Sequence, residues 1–223
     1  MKKVSIIIPV YNEERTIKKV LEEVLKLKLK KEIIVINDGS KDNTLKELKN
    51  FSKKIKIISY EENKGKGYAL RKGIEKASGD YIVFQDADLE YNPKEISSLI
   101  KELEKEKVVY GSRFLKKNKR GYLANYFANI FLSFLTSLLF GQKLTDMETG
   151  YKAFRKEVIK ELELTSNGFE IEPEITSKIL RRKIKIKEVP ISYEPRTKKE
   201  GKKVKFFDGI KAIFSLIKWK LKK

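Results

Sequence analysis

The sequence predicts an α/β protein built on a doubly wound, mostly parallel sheet. Two observations support this fold class: apolar runs of strand length alternate with segments whose apolar residues recur at helical spacing, and polar clusters follow several of these runs directly. The length of 223 residues accommodates one substantial domain of this type.

The elements follow in chain order. Strands are predicted at 4–10, 33–36, 55–59, 81–84 and 108–110, where β-branched and other apolar residues dominate. Helices are predicted between them: over the apolar positions that begin at Ile17, over a polar segment with Leu45 and Leu48, from 65 to about 77, and from 93 to about 104.

Unusual polar residues follow the predicted strands. Because the loops after parallel strands converge on one edge of such a sheet, we expect these residues to share a single rim. They are Tyr11-Asn12-Glu13, Asp38-Gly39-Ser40, residues 63–67, residues 86–90 and Arg113.

Composition excludes several kinds of site. The chain contains no Cys and no His, so disulfides, thiolate zinc sites, Cys nucleophiles and imidazole-based triads are ruled out. Lys and Arg number 51 against 31 Asp and Glu, a formal net charge of +20 that predicts an anionic partner. Nucleic acid, an acidic membrane surface and a phosphorylated substrate all satisfy that condition.

The fourth predicted strand ends in carboxylates at alternate positions, Asp86, Asp88 and Glu90. At the carboxyl end of a parallel strand, this spacing can direct several oxygens at one hard cation, Mg²⁺ or Mn²⁺, shared with substrate phosphates. The alternative is an acidic turn before a helix that Asn92 and Pro93 begin.

Glycine-rich phosphate loops give no match. No such fingerprint follows the first strand, which argues against a dinucleotide-binding site and against a sugar-phosphate nucleotidyltransferase. Gly65-Lys66-Gly67 lacks the Walker spacing. It is either a tight turn into a helix or a helix N-terminus that binds phosphate.

Longer motifs resemble the family-2 glycosyltransferases. They are Val-Ser-Ile-Ile-Ile-Pro-Val-Tyr-Asn-Glu-Glu, Asn-Asp-Gly-Ser-Lys-Asp-Asn-Thr, Asn-Lys-Gly-Lys-Gly-Tyr-Ala-Leu and Gln-Asp-Ala-Asp-Leu-Glu. Gly-Ser-Arg-Phe, Thr-Asp-Met-Glu-Thr-Gly-Tyr-Lys-Ala-Phe-Arg and Glu-Val-Pro-Ile-Ser-Tyr-Glu-Pro-Arg resemble the polyprenyl-phosphate glycosyltransferase branch, which includes dolichyl-phosphate mannose synthase. The resemblance covers essentially the whole chain and implies a GT-A fold, a nucleotide-sugar donor and a divalent metal.

The resemblance also implies roles for individual residues. Asp86 and Asp88 form the Asp-x-Asp pair that holds Mg²⁺ or Mn²⁺ and the diphosphate, with Ala87 between them, and Glu90 stands where some relatives have Gln. Asp38 contacts the base. The other residues expected to line the nucleotide pocket or lie near it are Pro9, Tyr11, Glu13, Lys66 and Arg71.

The acceptor determines whether a general base is needed. A lipid monophosphate is already anionic at neutral pH and requires only positioning by cations, for which Arg113, Arg120 and Arg196 are candidates. A sugar hydroxyl would require a base. Asp146 lies where hydroxyl-accepting relatives have that base. For a phosphate acceptor it would orient the reacting groups, and a helix N-cap or turn role also stays open.

Residues 121–142 carry no charge and reach the length of a membrane span. Asn125, Asn129, Ser133 and Ser137 recur every four residues, and the motifs on both flanks should reach the same site, so an interfacial helix at about 122–140 is predicted instead of a span. An ordinary core helix is the remaining alternative.

The catalytic domain is predicted to cover 1–196, followed by a basic amphipathic helix within 197–223 that binds an anionic membrane surface. Trp219 lies near its end, and calmodulin-type or nucleic-acid binding would give a similar pattern. The apolar face comprises Phe206, Phe207, Ile210, Ile213, Phe214, Ile217 and Leu221. The surrounding lysines are Lys198, Lys199, Lys202, Lys203, Lys205, Lys218, Lys220, Lys222 and Lys223.

Together these features predict a metal-dependent, inverting glycosyltransferase that moves a hexose from a nucleoside-diphosphate sugar, of the GDP-mannose or UDP-glucose type, to a polyprenyl or dolichyl phosphate. We expect it to act peripherally at the cytoplasmic face of the cell membrane, without nucleic acid and with a separate membrane protein as a possible partner. The alternative is a family-2 enzyme with a sugar or other hydroxyl acceptor in glycan synthesis.

Overall fold

The computed structural model describes residues 2–196 and 206–222. The strands in these ranges are β1 Val4–Val10, β2 Lys31–Asp38, β3 Lys56–Tyr60, β4 Tyr81–Phe84, β5 Val108–Ser112, β6 Lys152–Arg155 and β7 Ile186–Pro190. The α-helices are α1 Ile17–Lys26, α2 Thr44–Lys49, α3 Lys66–Lys76, α4 Ile96–Leu103, α5 Leu123–Phe140, α6 Lys156–Lys160, α7 Ile171–Arg181 and α8 Phe206–Leu221. A 3₁₀ turn, Pro93–Glu95, precedes α4.

Within the described residues the strands form one seven-stranded sheet in the order β3-β2-β1-β4-β6-β5-β7. Six strands are parallel, and β6 runs antiparallel between β4 and β5. The predicted α/β, mostly parallel fold is confirmed. The five predicted strands match β1 to β5 to within two residues at each end.

The apolar runs are continuous because helices cover both faces of the sheet. Along β1, side chains alternate between two cores: Ile6 and Ile8 pack on the α1 and α4 side, whereas Ile7 packs on the α3 and α7 side. Register places the carboxyl ends of β1, β2 and β4 together, since Val10 pairs with Asn37 and Ile7 with Phe84. The loops that follow these strands therefore meet at one edge.

Helix α5 packs on the domain through its polar stripe. Ser133 is buried and accepts the Met147 amide at 2.9 Å, and the Ser137 hydroxyl accepts the Leu144 amide at 2.9 Å. The opposite face is exposed and apolar: Leu123, Phe127, Ile130, Phe131, Phe134 and Leu138. Within the described ranges, α5 alone is long and apolar enough to cross a membrane, and 17% of it is buried.

Helix α8 packs against α7 and α5. Its buried side chains include Leu216 and Trp219, and Lys178 of α7 places its ammonium 4.0 Å from the centre of the Trp219 ring. The expectation that Trp219 meets a lipid surface is therefore wrong, because the indole belongs to the interface with α7. Phe207, Phe214, Ile217 and Leu221 are exposed, as predicted. The side chain of Phe206 and the lysines at 198, 199, 202, 203, 205 and 223 lie outside the described residues.

Candidate active site

A large cavity of about 1450 Å³ opens at the edge of the sheet where β1, β2 and β4 end. Most of the residues that the sequence singled out line it. They are Pro9, Tyr11, Glu13, Asp38, Lys66, Asp86, Ala87, Asp88, Glu90, Arg113, Arg120 and Arg196. The cavity continues past this rim between α5 and α8, where Ala128 and Ala212 line it. The rim predicted from the loops is thus one continuous site.

Asp38 holds the loop that leads into α3. Its carboxylate accepts the Lys64 and Gly65 amides at 2.9 and 2.8 Å, and the Asn63 side-chain amide at 2.9 Å. Burial raises the pKa of Asp38, although these hydrogen bonds oppose the shift. Gly65 has a φ of +98°, and a Cβ there would lie 2.4 Å from the Asn167 carbonyl oxygen, so only glycine fits this turn.

Four side chains of alternating charge extend from the rim into the core. The Lys66 ammonium lies 2.9 Å from Asp86 Oδ1 and 3.1 Å from Glu172 Oε1, and Glu172 Oε2 accepts the buried Lys152 ammonium at 2.5 Å. Burial lowers the pKa of Lys66, but the carboxylates of Asp86 and Glu172 outweigh it and raise that pKa above its usual value. Lys66 therefore stays charged beside the Asp-x-Asp pair.

Arg196 joins both sides of the rim. Its guanidinium contacts Glu13 at 3.0 Å and Asp88 Oδ2 at 2.9 Å, and its backbone amide donates to Glu90 at 2.7 Å. Glu90 also accepts the Tyr193 hydroxyl at 2.9 Å. Both Glu90 oxygens thus hold the segment that carries Arg196. The role of Glu90 as a metal ligand stays a prediction.

Asp88 is surrounded by negative charge. Burial, followed by the carboxylates of Asp86 and Glu90, raises the pKa of Asp88 to about 7, and Arg196 only partly opposes this shift. Repulsion of this kind is relieved when a cation binds between the carboxylates. Among the described residues, no three acidic groups are arranged to hold a metal by themselves.

Asp146 is fully buried and fully engaged. Its Oδ2 accepts the backbone amide and Nε of Arg113 at 2.9 and 2.7 Å, and its Oδ1 accepts Nη2 of Arg113 at 2.7 Å. Glu188 in turn accepts the amides of Thr145 and Asp146. The Asp146 carboxylate thus orients Arg113 at the cavity wall, and each of its oxygens accepts at least one hydrogen bond from Arg113.

Two predicted cations differ in position. Arg71 does not line the cavity: its guanidinium donates to the Leu164 carbonyl and the Asn167 side chain. Arg120 lines the cavity, is exposed, and lies over the Tyr126 ring at 5.2 Å. Arg71 therefore supports the loop at 164–167, and its predicted place near the nucleotide stays a prediction.

Several residues of the site had no separate prediction. Lys152 and Glu172 form the buried ion pair, Glu148 lines the cavity, and Gly150 contacts Asp86 so closely that a Cβ would lie 2.2 Å from Asp86 Oδ2. One signal was present, because Lys152 stands inside a strand-like stretch next to Ala153 and Phe154. Glu172 gives no comparable signal, since only the fold brings α7 to the rim.

Comparison with known proteins identifies the family. The family model for "Glycosyl transferase family 2" matches residues 5–163. A UDP-N-acetylglucosamine–dolichyl-phosphate N-acetylglucosaminyltransferase of Methanococcus voltae is 34% identical, with 100% of this chain and 98% of that protein covered. A dolichol-phosphate mannosyltransferase of Pyrococcus furiosus is 33% identical over 97% of this chain, which spans 64% of that protein.

Among solved structures, glucosyl-3-phosphoglycerate synthase from Mycobacterium tuberculosis, in complex with Mn²⁺, UDP-glucose and phosphoglyceric acid, superposes with a TM-score of 0.77. It is 20% identical, and 98% of this chain and 80% of that chain are covered. This likeness confirms the GT-A fold. From the family match, the relatives at 33–34% identity and the shared fold, the chain belongs to glycosyl transferase family 2 and is a glycosyltransferase.

Proposed function

We propose that this protein transfers one hexose from a nucleoside-diphosphate sugar to a polyprenyl phosphate, with inversion and with the help of Mg²⁺ or Mn²⁺. The observation that carries the proposal is the joining of two features in one cavity: an acidic, cation-lined rim at Asp86 and Asp88, and a largely apolar cleft between α5 and α8. The first suits a diphosphate and the second suits a lipid.

A divalent cation fits the residues present. Asp86 and Asp88 supply hard oxygen ligands, and the raised pKa of Asp88 reflects a concentration of negative charge that a dication would relieve. A bound cation would stabilise the negative charge of the leaving diphosphate. Two protein carboxylates leave the remaining coordination to water and phosphate oxygens, which is the usual arrangement for Mg²⁺. Lys66 adds a fixed positive charge on the same side.

A phosphate acceptor is favoured over a hydroxyl by the surroundings of Asp146. Asp146 is 0% exposed, does not line the cavity, and accepts three hydrogen bonds from Arg113, so an incoming hydroxyl in the cavity cannot reach it in this arrangement. Arg113, Arg120 and Arg196 all line the cavity and supply cations for an acceptor phosphate. Since that phosphate is already ionised near neutral pH, no proton must be removed.

Membrane attachment is supported by the exposed faces of two helices. On α5, Phe127, Phe134 and Leu138 are 62%, 63% and 69% exposed, and α8 exposes Phe214 beside lysines such as Lys218. Apolar faces with basic neighbours bind anionic lipid interfaces. We propose that the enzyme lies on the cytoplasmic face with these helices in the interface. The same arrangement would bring a lipid phosphate to the rim.

The test is a transfer assay with purified protein, Mn²⁺, a panel of radiolabelled nucleotide sugars, and either a short polyprenyl phosphate or free sugars as acceptor. We expect label to move into the organic-extractable polyprenyl product with at least one donor. Transfer to free sugars with none to the lipid phosphate would replace the proposal by the hydroxyl-acceptor alternative.

A further inference from the structure

Glu148 is an acidic side chain of the cavity wall for which neither the sequence motifs nor the proposed chemistry supplies a task. It precedes β6 and lines the cavity. Its Oε1 is shielded from solvent and has no hydrogen-bond partner among the residues that the structure describes. A buried carboxylate oxygen without a donor costs folding free energy, so its presence points to a partner that arrives with a ligand.

The neighbouring cations are committed to other carboxylates. The Lys152 ammonium donates hydrogen bonds to Glu172 and to the carbonyl oxygens of Met147 and Thr149, and Arg113 forms its bidentate contact with Asp146. Burial and the nearby Glu172 raise the pKa of Glu148 to about 7, although Lys152 and Arg113 act in the opposite direction. Glu148 therefore lies near two positive charges, but none of the described residues donates a hydrogen bond to its Oε1.

The position of Glu148 is fixed relative to the donor diphosphate. Gly150, two residues further on, lies against Asp86 so closely that a Cβ would come within 2.2 Å of Asp86 Oδ2. On the same wall the cavity is lined by Phe169 and Glu172. A group attached to a diphosphate at Asp86 can therefore extend along this wall toward Glu148.

The side chains of the cavity wall around Glu148 determine which class of ligand group can bind there. The oxygens of Glu172 contact Lys66 and Lys152, whereas the described residues give Glu148 no such ammonium. The Glu148 carboxylate therefore repels a phosphate, and an isoprenoid chain offers no hydrogen-bond donor. No cluster of three acidic groups suited to a metal exists within the described ranges. Sugar hydroxyls are donors, carry no charge, and are present on any nucleotide-bound hexose. They can donate hydrogen bonds to the Glu148 carboxylate.

We propose that Glu148 binds ring hydroxyls of the donor hexose and so determines which sugar the enzyme transfers. This inference rests on the proposed function, since it requires a nucleotide-sugar donor at Asp86 and Asp88. It assigns the sugar-reading part of the cavity to a residue that neither holds the diphosphate nor contacts the acceptor phosphate.

The experiment compares full-length wild type with Glu148→Gln and Glu148→Ala. Glu104→Gln, at an exposed position at the end of α4, is the control for losing one carboxylate. Transfer to a short polyprenyl phosphate is measured with nucleotide sugars that differ in the configuration or substituents of the hexose. The inhibition constant of the matching nucleoside diphosphate without sugar is measured in parallel. Thermal unfolding reports whether each variant folds.

We expect kcat/KM for the preferred donor to fall about 10- to 100-fold in both variants, in line with loss of hydrogen bonds to a charged group. Discrimination between hexoses should shrink by a similar factor, while the inhibition constant of the nucleoside diphosphate stays within about twofold. The melting temperature of Glu148→Gln should not fall, because an unpaired charge is removed.

Unchanged discrimination in the variants, with an active wild type, would overturn the inference alone. An equal loss for the nucleoside diphosphate and the nucleotide sugar would also overturn it, because Glu148 would then act on the nucleotide or on the fold. Absence of transfer by the wild type from every donor would overturn the proposed function, and the inference with it.

Discussion

Replacement of Asp146 by Asn distinguishes a structural role of this carboxylate from a role as general base. The substitution keeps the size of the side chain and removes its charge, which leaves the Arg113 guanidinium in place without its counter-ion. Asp146 is 0% exposed and Arg113 is 12% exposed, and the contact joins Arg113 Nη2 to Asp146 Oδ1 at 2.7 Å. Two further donors of Arg113 also lose a charged acceptor.

The expected cost follows from this burial. Removing one partner of a buried, hydrogen-bonded ion pair destabilises a protein by about 3–5 kcal/mol. For a domain of 150–250 residues, each kcal/mol lowers the melting temperature by about 2–4 °C, so a decrease of about 6–20 °C is expected. The matched control is Glu194→Gln, since the Glu194–Lys119 pair has the similar distance of 3.0 Å but side chains 69% and 75% exposed. Its loss should cost about 0–1 kcal/mol.

The assay is thermal unfolding of both variants with transfer to a polyprenyl phosphate measured below the melting temperature. We expect a large destabilisation by Asp146→Asn and a small one by Glu194→Gln. A melting temperature of Asp146→Asn within about 2 °C of wild type, combined with complete loss of transfer, would refute the reasoning. That outcome would indicate a base in the reaction.

Three further predictions test other parts of the molecule. Gly150→Ala places a Cβ 2.2 Å from Asp86 Oδ2, which must displace that carboxylate. The affinity for nucleotide in the presence of Mn²⁺, measured by calorimetry, should therefore fall at least about tenfold while the protein still folds. An unchanged affinity would contradict the contact. Burial opposes ionisation of Glu32, but hydroxyl, backbone and ammonium donors hold its pKa well below the ordinary 4.5; the stabilisation is therefore present above pH 4.5 and lost as the pH falls further. Glu32→Gln should lower the melting temperature at pH 7 and by a smaller amount at pH 3, where part of the stabilisation is already lost, and an equal decrease at both values would exclude this linkage. Phe134→Ser, at a 63% exposed position, should weaken sedimentation with anionic vesicles without lowering the melting temperature, and unaltered sedimentation would argue against this face as the membrane contact.

The first half of the fold was predictable because local and global signals agree there. β1 and β4 are buried on both faces, so their runs are continuously apolar, and the polar loops that follow them mark the rim. The position of Asp86 and Asp88 at the rim could be predicted from their spacing after the fourth strand. The family resemblance then supplied residues predicted to lie near the nucleotide, and the cavity brings several of them together, including Glu13 and Asp38.

The second half was less predictable because its strands are short and its chemistry is non-local. β6 has four residues and contains the buried Lys152, whose ammonium is satisfied by Glu172 from α7. Spacing cannot reveal that partnership, since α7 reaches the rim only through packing. The same reason explains Trp219: a tryptophan near the end of a basic helix suggests a lipid interface, but contact with α7 buries it.

The central claim is that Asp86 and Asp88 hold a divalent cation and, through it, the diphosphate of the donor. The most direct measurement is calorimetric titration of a nucleotide sugar into wild type and Asp88→Asn, with Mn²⁺ and after removal of metal by EDTA. We predict binding by wild type with Mn²⁺, and a loss of at least about tenfold in affinity both after EDTA and in the variant. Equal affinities under all of these conditions would contradict the claim.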